Sequence, residues 1–276
     1  MSQRSSSLNS GFYKHYSAGV ERNRLLSIGS NSLEFYRTKE ILERFLPKKP
    51  ATILDIGGGP GRYAFWLASK GHRVHLIDIV PLHIEQGKAA QRKSRAKLAS
   101  ITLGDARSLD FENEVADIAL LFGPLYHLVR REERIKALGE ASRVLRPGGL
   151  VFATAISRFT SALDGSNHGF IRDPEFMKII RQDLKTGQHR NPRNIPEYFT
   201  TSFFHHPHEL HAEVAMARFK SVEVYALTGF AWLLPKLKAY WKDPLLRKRL
   251  VSILKELELE PSMMGISDHL LGVGRK

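Results

Sequence analysis

The most informative stretch of the chain is Ile53-Leu54-Asp55-Ile56-Gly57-Gly58-Gly59-Pro60-Gly61. An apolar run of strand length surrounds an acidic residue, and glycines follow at alternate positions from Gly57 to Gly61. Glycines allow the backbone to turn tightly and to pass close to a bound ligand. The stretch therefore predicts a buried strand whose carboxyl end opens into a ligand site.

Outward from this stretch, short apolar strands alternate with amphipathic segments of helix length. The seven predicted strands are 52–56, 73–78, 99–103, 116–122, 150–156, 222–227 and 269–273. Helix-length segments separate several of the first five strands, at 61–70, 81–95 and 131–145. Such alternation predicts an α/β fold, in which helices cover both faces of a parallel sheet.

Two long segments interrupt this alternation, and a third precedes it. Residues 157–206 are rich in polar residues and proline, and residues 228–264 contain two predicted helices. Because both should leave from carboxyl ends of strands, where ligands bind in open α/β sheets, we expect them to form a lid. Apolar residues at helical spacing within 12–46 predict a helical N-terminal segment, 1–47, which leaves 48–276 as the main domain.

The composition excludes several classes of chemistry. The chain has 276 residues and no cysteine, which removes thiolate nucleophiles, cysteine-bound zinc, iron–sulfur clusters and disulfides. The first residues lack the apolar stretch of a signal peptide, and no apolar run is long enough to span a bilayer. We expect a soluble, cytoplasmic protein that does not associate with membranes.

The net charge of +14 suggests an anionic partner, such as nucleic acid or an acidic substrate. The charge is spread over several runs, including 88–97 and 236–249. Runs of this kind are more often solvated helix faces than binding sites. Nucleic acid is therefore an alternative partner, less favoured than a small molecule.

The glycine-rich turn allows two interpretations. Gly59, Gly61 and Ala64 satisfy the dinucleotide pattern G-x-G-x-x-A, and Asp78 at the end of the second strand can hold ribose hydroxyls in either case. Asp55, however, stands where a nicotinamide-binding fold usually has an apolar residue. A carboxylate at this position suits a cationic amino group and sits poorly beside a pyrophosphate.

Four ordered motifs resemble those of the class I S-adenosylmethionine-dependent methyltransferases. They are Asp55-x-Gly57-x-Gly59-x-Gly61, Asp78, Gly104-Asp105-Ala106 and Leu145-Arg146-Pro147-Gly148-Gly149. The resemblance implies a Rossmann-like fold, with a seven-stranded, mainly parallel sheet whose last strand is antiparallel. It also implies S-adenosylmethionine as the cofactor.

The resemblance further assigns cofactor contacts to individual residues. The glycines and Asp55 would position the methionine part, Asp78 the ribose, and Asp105 with Ala106 the adenine. Tyr16 and Arg37 belong to a region that resembles the N-terminal cap of small-molecule methyltransferases. The complete predicted set is Tyr16, Arg37, Asp55, Gly57, Gly59, Gly61, Asp78, Ile79, Gly104, Asp105, Ala106, Phe122, Gly123 and Leu125.

The sequence after the fourth strand, residues 121–128, resembles small-molecule methyltransferases and is predicted to face the reaction centre. His127 is the predicted general base, because imidazole titrates near neutral pH. Tyr126 is predicted to shape the acceptor pocket or to donate a hydrogen bond, with simple packing as the ordinary alternative for both. Gly123 and Leu125 depart from the N/D-P-P-Y/F motif of amino-directed nucleic-acid methyltransferases, which disfavours methylation of adenine N6.

The histidines at positions 205, 206, 208 and 211 are not expected to bind a metal, because surface histidines cluster by chance in a chain with 12 of them. A role of His205 or His206 facing the substrate is favoured over metal binding. The sequence thus predicts transfer of a methyl group to a small molecule. Three alternatives stay open. They are an RNA methyltransferase, a nicotinamide-dependent oxidoreductase and a cofactor-binding regulatory protein without turnover.

Overall fold

The glycine-rich turn lies at the carboxyl edge of a nine-stranded sheet in the computed structural model, which describes residues 29–276. The strands are β1 (Thr52–Ile56), β2 (Arg73–Asp78), β3 (Ser100–Leu103), β4 (Ala116–Leu121), β5 (Leu145–Ser157), β6 (Gln188–His189), β7 (Ser202–His205), β8 (Lys220–Ala226) and β9 (His269–Arg275). Strands β3, β2, β1, β4 and β5 lie side by side in this order and run parallel. Strand β9 then pairs antiparallel with both β5 and β8.

Helices occupy most connections between these strands. They are α1 (Ser30–Phe45), α2 (Arg62–Ser69), α3 (Pro81–Lys93), α4 (Pro124–His127), α5 (Arg131–Val144), α6 (Thr160–His168), α7 (Pro174–Thr186), α8 (Pro207–Met216), α9 (Leu237–Lys242), α10 (Pro244–Leu257) and α11 (Pro261–Met264). Three 3₁₀ turns complete the set, at Phe170–Arg172, Pro196–Tyr198 and Ala231–Leu233.

The sheet separates two buried apolar clusters, because successive side chains of a strand point to opposite faces. On one face, Leu54 and Ile56 of β1 join apolar residues of α5 and α8. On the other face, Ile53 joins residues of α1 and α2. The sheet is thus covered on both sides, which explains why its central strands are mostly apolar.

The predicted Rossmann-like fold is confirmed, including the antiparallel last strand. All seven predicted strands are present, and β5 begins earlier than expected because Leu145 already pairs with Ala116 before a register shift. Strands β6 and β7 were not predicted. Each is too short to give an apolar pattern, and β7 pairs with β5 only through Phe204 and His205.

The two interrupting segments differ in what they contact. Residues 157–206 leave from the carboxyl end of β5 and form α6, α7, β6 and β7. In residues 228–264, Leu237, Leu250 and Leu254 pack on Leu33 of α1. No helix within residues 29–276 combines the length and apolar character needed to span a bilayer.

Candidate active site

The turn after β1 brings an exposed stretch of backbone to the sheet edge. Gly57 (φ 72°) and Gly59 (φ 57°) have left-handed conformations that glycine adopts without steric cost. A Cβ at Gly57 would stand 2.7 Å from Cγ of Pro124, so this glycine lies against the end of β4. A Cβ at Gly59 would meet no atom of the described residues within 4 Å, so its backbone faces open space.

Asp78, at the end of β2, fixes this turn from the side. Its Oδ2 accepts a hydrogen bond from the N–H of Gly59 at 2.8 Å, and its Oδ1 accepts one from the N–H of Val80 at 2.8 Å. Nδ1 of His83, on the first turn of α3, lies 3.0 Å from the same Oδ1. Since a carboxylate can accept about four hydrogen bonds, capacity remains for a ligand hydroxyl.

Asp55 lies behind the turn and not in the cleft. Its side chain is fully buried under Gly58, and neither carboxylate oxygen has a hydrogen-bond partner of good geometry among the described residues. Burial and, to a smaller extent, the negative charge of Asp78 raise the pKa of Asp55 to about 7, against an opposing effect of the Ala64 backbone N–H. A positive charge bound near the turn would favour the ionised form of this carboxyl group.

A cleft with about 1030 Å³ of space, partly open to solvent, lies in front of the turn. This volume is in the range of small-molecule binding sites. Most of the predicted site residues line it, namely Gly57, Gly59, Asp78, Ile79, Gly104, Asp105, Ala106, Phe122, Gly123, Tyr126 and His127. The structure therefore brings together residues from the ends of β1, β2, β3 and β4.

Other predicted residues lie away from the cleft or outside the described range. Gly61 precedes α2, and a Cβ there would stand 2.9 Å from Leu76. Leu125 is fully buried in the apolar core. Tyr16 lies outside the described residues.

Arg37 of α1 does not line the cleft. Its guanidinium is fully buried and pairs with the carboxylates of Glu40 and Glu258, which ties α1 to the segment after α10. Glu34, one turn earlier on the same helix, does line the cleft. The resemblance assigned a cofactor contact to Arg37, but Glu34 and not Arg37 lines the cleft.

Sequence reasoning missed further lining residues, among them Arg62, Tyr63, His83 and Thr154. Arg62 and Tyr63 directly follow the last glycine of the turn, and this adjacency was a usable signal. His83 falls on the first helical turn after Asp78, which faces the same sheet edge. Thr154 belongs to a buried strand, and nothing in its local sequence distinguishes it.

The opposite rim of the cleft is formed after β3. Asp105 accepts hydrogen bonds from the backbone and side chain of Arg107, and Arg107 also pairs with Glu133 at 2.8 Å. Burial raises the pKa of Asp105, but the hydrogen bonds and positive charge of Arg107 outweigh it, so the pKa lies below its ordinary value. The group is therefore a fixed, ionised acceptor at this rim.

The end of β4 presents two aromatic side chains. The short helix α4 turns Leu125 into the core and leaves Tyr126 and His127 lining the cleft. Their ring centroids are 4.6 Å apart. The hydroxyl of Tyr126 lies 3.6 Å from the position that a Cβ of Gly123 would take, so it faces the backbone of the β4 end.

The charges of the described lining residues suit S-adenosylmethionine better than a dinucleotide. Glu34, Asp78 and Asp105 are carboxylates, and Arg62 is the single arginine or lysine among these lining residues. Such a lining attracts a sulfonium and an ammonium group and accepts hydrogen bonds from ribose hydroxyls, but it repels a pyrophosphate. The open backbone at Gly59 provides room for close approach.

The histidine group near β7 serves structural contacts. His205 is fully buried, with Nε2 3.3 Å from Oε2 of Glu213, and the rings of His206 and His208 stack at 5.1 Å. Within residues 29–276, no three histidine, aspartate or glutamate side chains are arranged to hold a metal ion.

Known proteins resemble this chain in both sequence and structure. A family model described as a methyltransferase domain matches residues 53–149. The ubiquinone/menaquinone biosynthesis C-methyltransferase of Acidiphilium cryptum is 30% identical over 173 residues, which cover 60% of this chain and 67% of that protein.

Two solved structures share the fold over most of their length. An S-adenosylmethionine-dependent methyltransferase from Methanosarcina mazei has a TM-score of 0.57 at 20% identity and covers 86% of this chain and 96% of its own. The 1,6-didemethyltoxoflavin-N1-methyltransferase of Burkholderia thailandensis, with bound 1,6-didemethyltoxoflavin and S-adenosylhomocysteine, has a TM-score of 0.56 at 15% identity and covers 97% and 88%. At these identities the structures show the fold alone.

Proposed function

Because the chain belongs to the class I S-adenosylmethionine-dependent methyltransferases, we propose that it transfers the methyl group of this cofactor to a small aromatic acceptor. The observation that carries the proposal is the cleft itself. Its acidic, glycine-rich part lies at the ends of β1 to β3, and its aromatic part, with Tyr126 and His127, lies at the end of β4.

Each part of the cofactor has a candidate partner in the acidic half of the cleft. The backbone of Gly57 and Gly59 would receive the methionine part, with the buried carboxyl group of Asp55 as its electrostatic support. Asp78 would accept hydrogen bonds from the ribose, and Asp105 would accept one from the adenine amino group. When bound, S-adenosylmethionine supplies an electrophilic methyl carbon on a positively charged sulfur.

The residues at the β4 end would align the acceptor and remove its proton. The acceptor uses an electron pair to form the new bond to the methyl carbon, while the electrons of the carbon–sulfur bond go to sulfur. His127 would take the proton that the acceptor loses, because its ring lines the cleft beside Tyr126. Apolar walls that exclude water would favour this in-line displacement.

The acceptor class is supported by the sequence relative. That relative is named as a C-methyltransferase of ubiquinone and menaquinone biosynthesis. Methylation at carbon requires a nucleophilic carbon, and a ring carbon of a hydroquinone becomes nucleophilic after loss of a hydroxyl proton. We propose a hydroquinone or similar phenolic ring as the acceptor of this chain.

We also propose that α1, the described part of the predicted N-terminal cap (1–47), and residues 157–206 cover the cleft, whereas residues 1–28 lie outside the described range. Support comes from Glu34 of α1, which lines the cleft, and from Phe199, whose ring centroid lies 6.3 Å from that of His127. Residues 228–264 instead pack against α1, so we propose that they brace the cap. The predicted cytoplasmic location stays a prediction.

The direct test is methyl transfer from S-adenosylmethionine labelled in the methyl group. Acceptors are 1,4-naphthohydroquinone under anaerobic conditions, its fully saturated diol analogue, and total RNA as the alternative suggested by the +14 charge. We expect label in the hydroquinone alone. If the protein still transfers label to RNA at moderate salt concentration, the acceptor is nucleic acid and not a hydroquinone. If the protein binds the cofactor but transfers label to no acceptor in a broad metabolite pool, a regulatory role is favoured.

A further inference from the structure

Phe199 has a backbone conformation that aromatic residues rarely adopt. Its φ is 63° and its ψ is 174°, a region that is populated mainly by glycine. It directly follows the 3₁₀ turn Pro196–Tyr198, in the segment that joins β6 to β7. Strained residues persist only where the surrounding structure enforces them, and they cluster at functional sites.

Two buried side chains enforce this conformation from behind. Nδ2 of Asn191 donates to the carbonyl oxygen of Phe199 at 2.6 Å and to that of Ile195 at 2.7 Å. Nε2 of His189 lies 2.6 Å from the carbonyl oxygen of Tyr198. Both peptide groups that flank Phe199 are therefore held by side chains of the same segment.

His189 is held in turn by α6 and α7. Its Nδ1 lies 2.8 Å from Oδ2 of Asp183 and 3.3 Å from Oγ of Ser161, and all three side chains are more than nine-tenths buried. This group is not a hydrolytic triad, because the Nε2 that would activate a serine is committed to a backbone carbonyl. Its position indicates that it supports the turn before Phe199.

The ring of Phe199 lies beside Tyr126 and His127, the aromatic lining residues of the cleft. It packs with Tyr126, Ile156 and Phe204, and its centroid is 6.3 Å from that of His127. These neighbours offer ring faces and aliphatic carbon to an acceptor.

We propose that Phe199 is a specificity-determining residue that packs against a flat, uncharged ring of the acceptor, and that Asn191 and His189 are positioning residues for it. The inference rests on the proposed function, because it concerns the acceptor end of the same cleft. It adds the residue that selects the acceptor and the buried network that holds this residue in a strained conformation.

The test measures binding and not turnover. The protein is loaded with S-adenosylhomocysteine and titrated calorimetrically with 1,4-naphthohydroquinone and with its fully saturated analogue, decahydronaphthalene-1,4-diol, which has no flat ring and should bind more weakly. Phe199→Leu keeps an apolar side chain and retains the contacts of Asn191 and His189 with the backbone carbonyl oxygens of residues 199 and 198. We expect it to weaken binding of the naphthohydroquinone about tenfold or more, while affinity for S-adenosylhomocysteine stays within about twofold, since Phe199 packs with Tyr126 at the acceptor end of the cleft.

Asn191→Asp removes the side-chain N–H groups that donate to the carbonyl oxygens of Ile195 and Phe199, and Asn194→Asp is its matched control. Asn191 is buried and donates to two carbonyls, whereas Asn194 is exposed in the same turn. Only Asn191→Asp should weaken naphthohydroquinone binding. Equal binding by wild type and Phe199→Leu, or no binding by the wild-type protein, overturns the inference. Cofactor affinity and methyl transfer decide the proposed function separately.

Discussion

The carboxylate of Asp78 holds the backbone N–H of Gly59 at 2.8 Å, so the acid predicted to bind the ribose also fixes the glycine-rich turn. The two residues belong to different strand ends, 19 positions apart in the chain. Their contact means that the two halves of the cofactor subsite are mutually supported. Substitution of either Asp78 or Gly59 should therefore change both the geometry of the turn and the affinity for the cofactor.

Gly59→Ala is expected to weaken cofactor binding without a large loss of stability beyond backbone strain. A methyl group there would project into open space in front of the turn. Gly71→Ala is a matched control, because Gly71 also has a positive φ (91°) and a Cβ added to it would likewise meet no described atom within 4 Å. Gly71, however, precedes β2 and so lies at the other edge of the sheet.

Both glycine substitutions should lower Tm by a similar amount, since each places a Cβ in a left-handed conformation that costs about 1–2 kcal/mol. Only Gly59→Ala should reduce the affinity for S-adenosylhomocysteine, by about tenfold or more. Equal affinities of the two variants would place the cofactor elsewhere.

Asp55→Asn should stabilise the ligand-free protein, and more strongly at pH 8 than at pH 5. The pKa of Asp55 is about 7 in the folded protein and near its ordinary value in the unfolded chain. Between these values the folded state binds the extra proton, so wild-type stability falls as pH rises, by at most about 1.4 kcal/mol per pH unit. The asparagine does not ionise and escapes this loss.

Thermal unfolding at the two pH values measures the effect of Asp55→Asn. Asp110→Asn, in the exposed loop before β4, shows the effect of removing a surface carboxylate. A gain in Tm from Asp55→Asn that is the same at pH 5 and pH 8 would contradict the raised pKa.

His127→Asn is expected to lower kcat by about 10²–10⁴, the usual contribution of a general base. Affinity for S-adenosylhomocysteine should stay within about twofold, because the substitution removes a proton acceptor at the acceptor end of the cleft. His208→Asn, an exposed histidine of α8, is the control and should leave kcat unchanged. An unchanged kcat in His127→Asn would assign this ring to packing.

Arg134→Met should destabilise the fold by about 3–5 kcal/mol, because it leaves the buried carboxylate of Glu213 without its main partner. Arg134 pairs with Glu213 at 2.7 Å and also donates to the carbonyl oxygens of Leu128 and Val129, directly after α4. Arg131→Met is the control, since Arg131 is 56% exposed and 3.9 Å from Glu213, and it should cost less than about 1 kcal/mol.

Denaturant unfolding compares the two arginine variants. Burial raises the pKa of Glu213, but hydrogen bonds from His205 and Arg134 outweigh it and lower the pKa to about 2. The ionised carboxylate of Glu213 therefore stabilises the folded protein above its ordinary pKa, and this stabilisation is lost as pH falls from about 4.5 to 2. Equal stability of Arg134→Met and Arg131→Met would contradict this account.

Local sequence was sufficient to predict the strand ends that meet at the site. Asp78 ends β2, Gly104 follows β3 and Gly123 comes shortly after β4, and parallel strands bring their carboxyl ends to one edge. The expectation that residues directly after a strand reach the site is wrong for one residue of α4. The turn there buries Leu125, which was predicted to contact the cofactor, and leaves its two neighbours in the cleft.

Contacts between distant segments could not be predicted in this way. Arg37 pairs with Glu258, 221 residues away, and no local pattern links them. Phe199 reaches His127 only because β7 adds to the end of β5 and two buried side chains fix the preceding turn. Such placements depend on tertiary packing and on backbone strain, which residue spacing does not encode.

The most direct test of the central claim is calorimetric titration with S-adenosylhomocysteine and with NADH, on the wild-type protein and on Asp78→Asn. We expect micromolar binding of S-adenosylhomocysteine, weakened about tenfold or more in the variant by loss of a charge-assisted hydrogen bond, and no binding of NADH. Binding of NADH in place of S-adenosylhomocysteine would contradict the account and assign the glycine-rich turn to a dinucleotide.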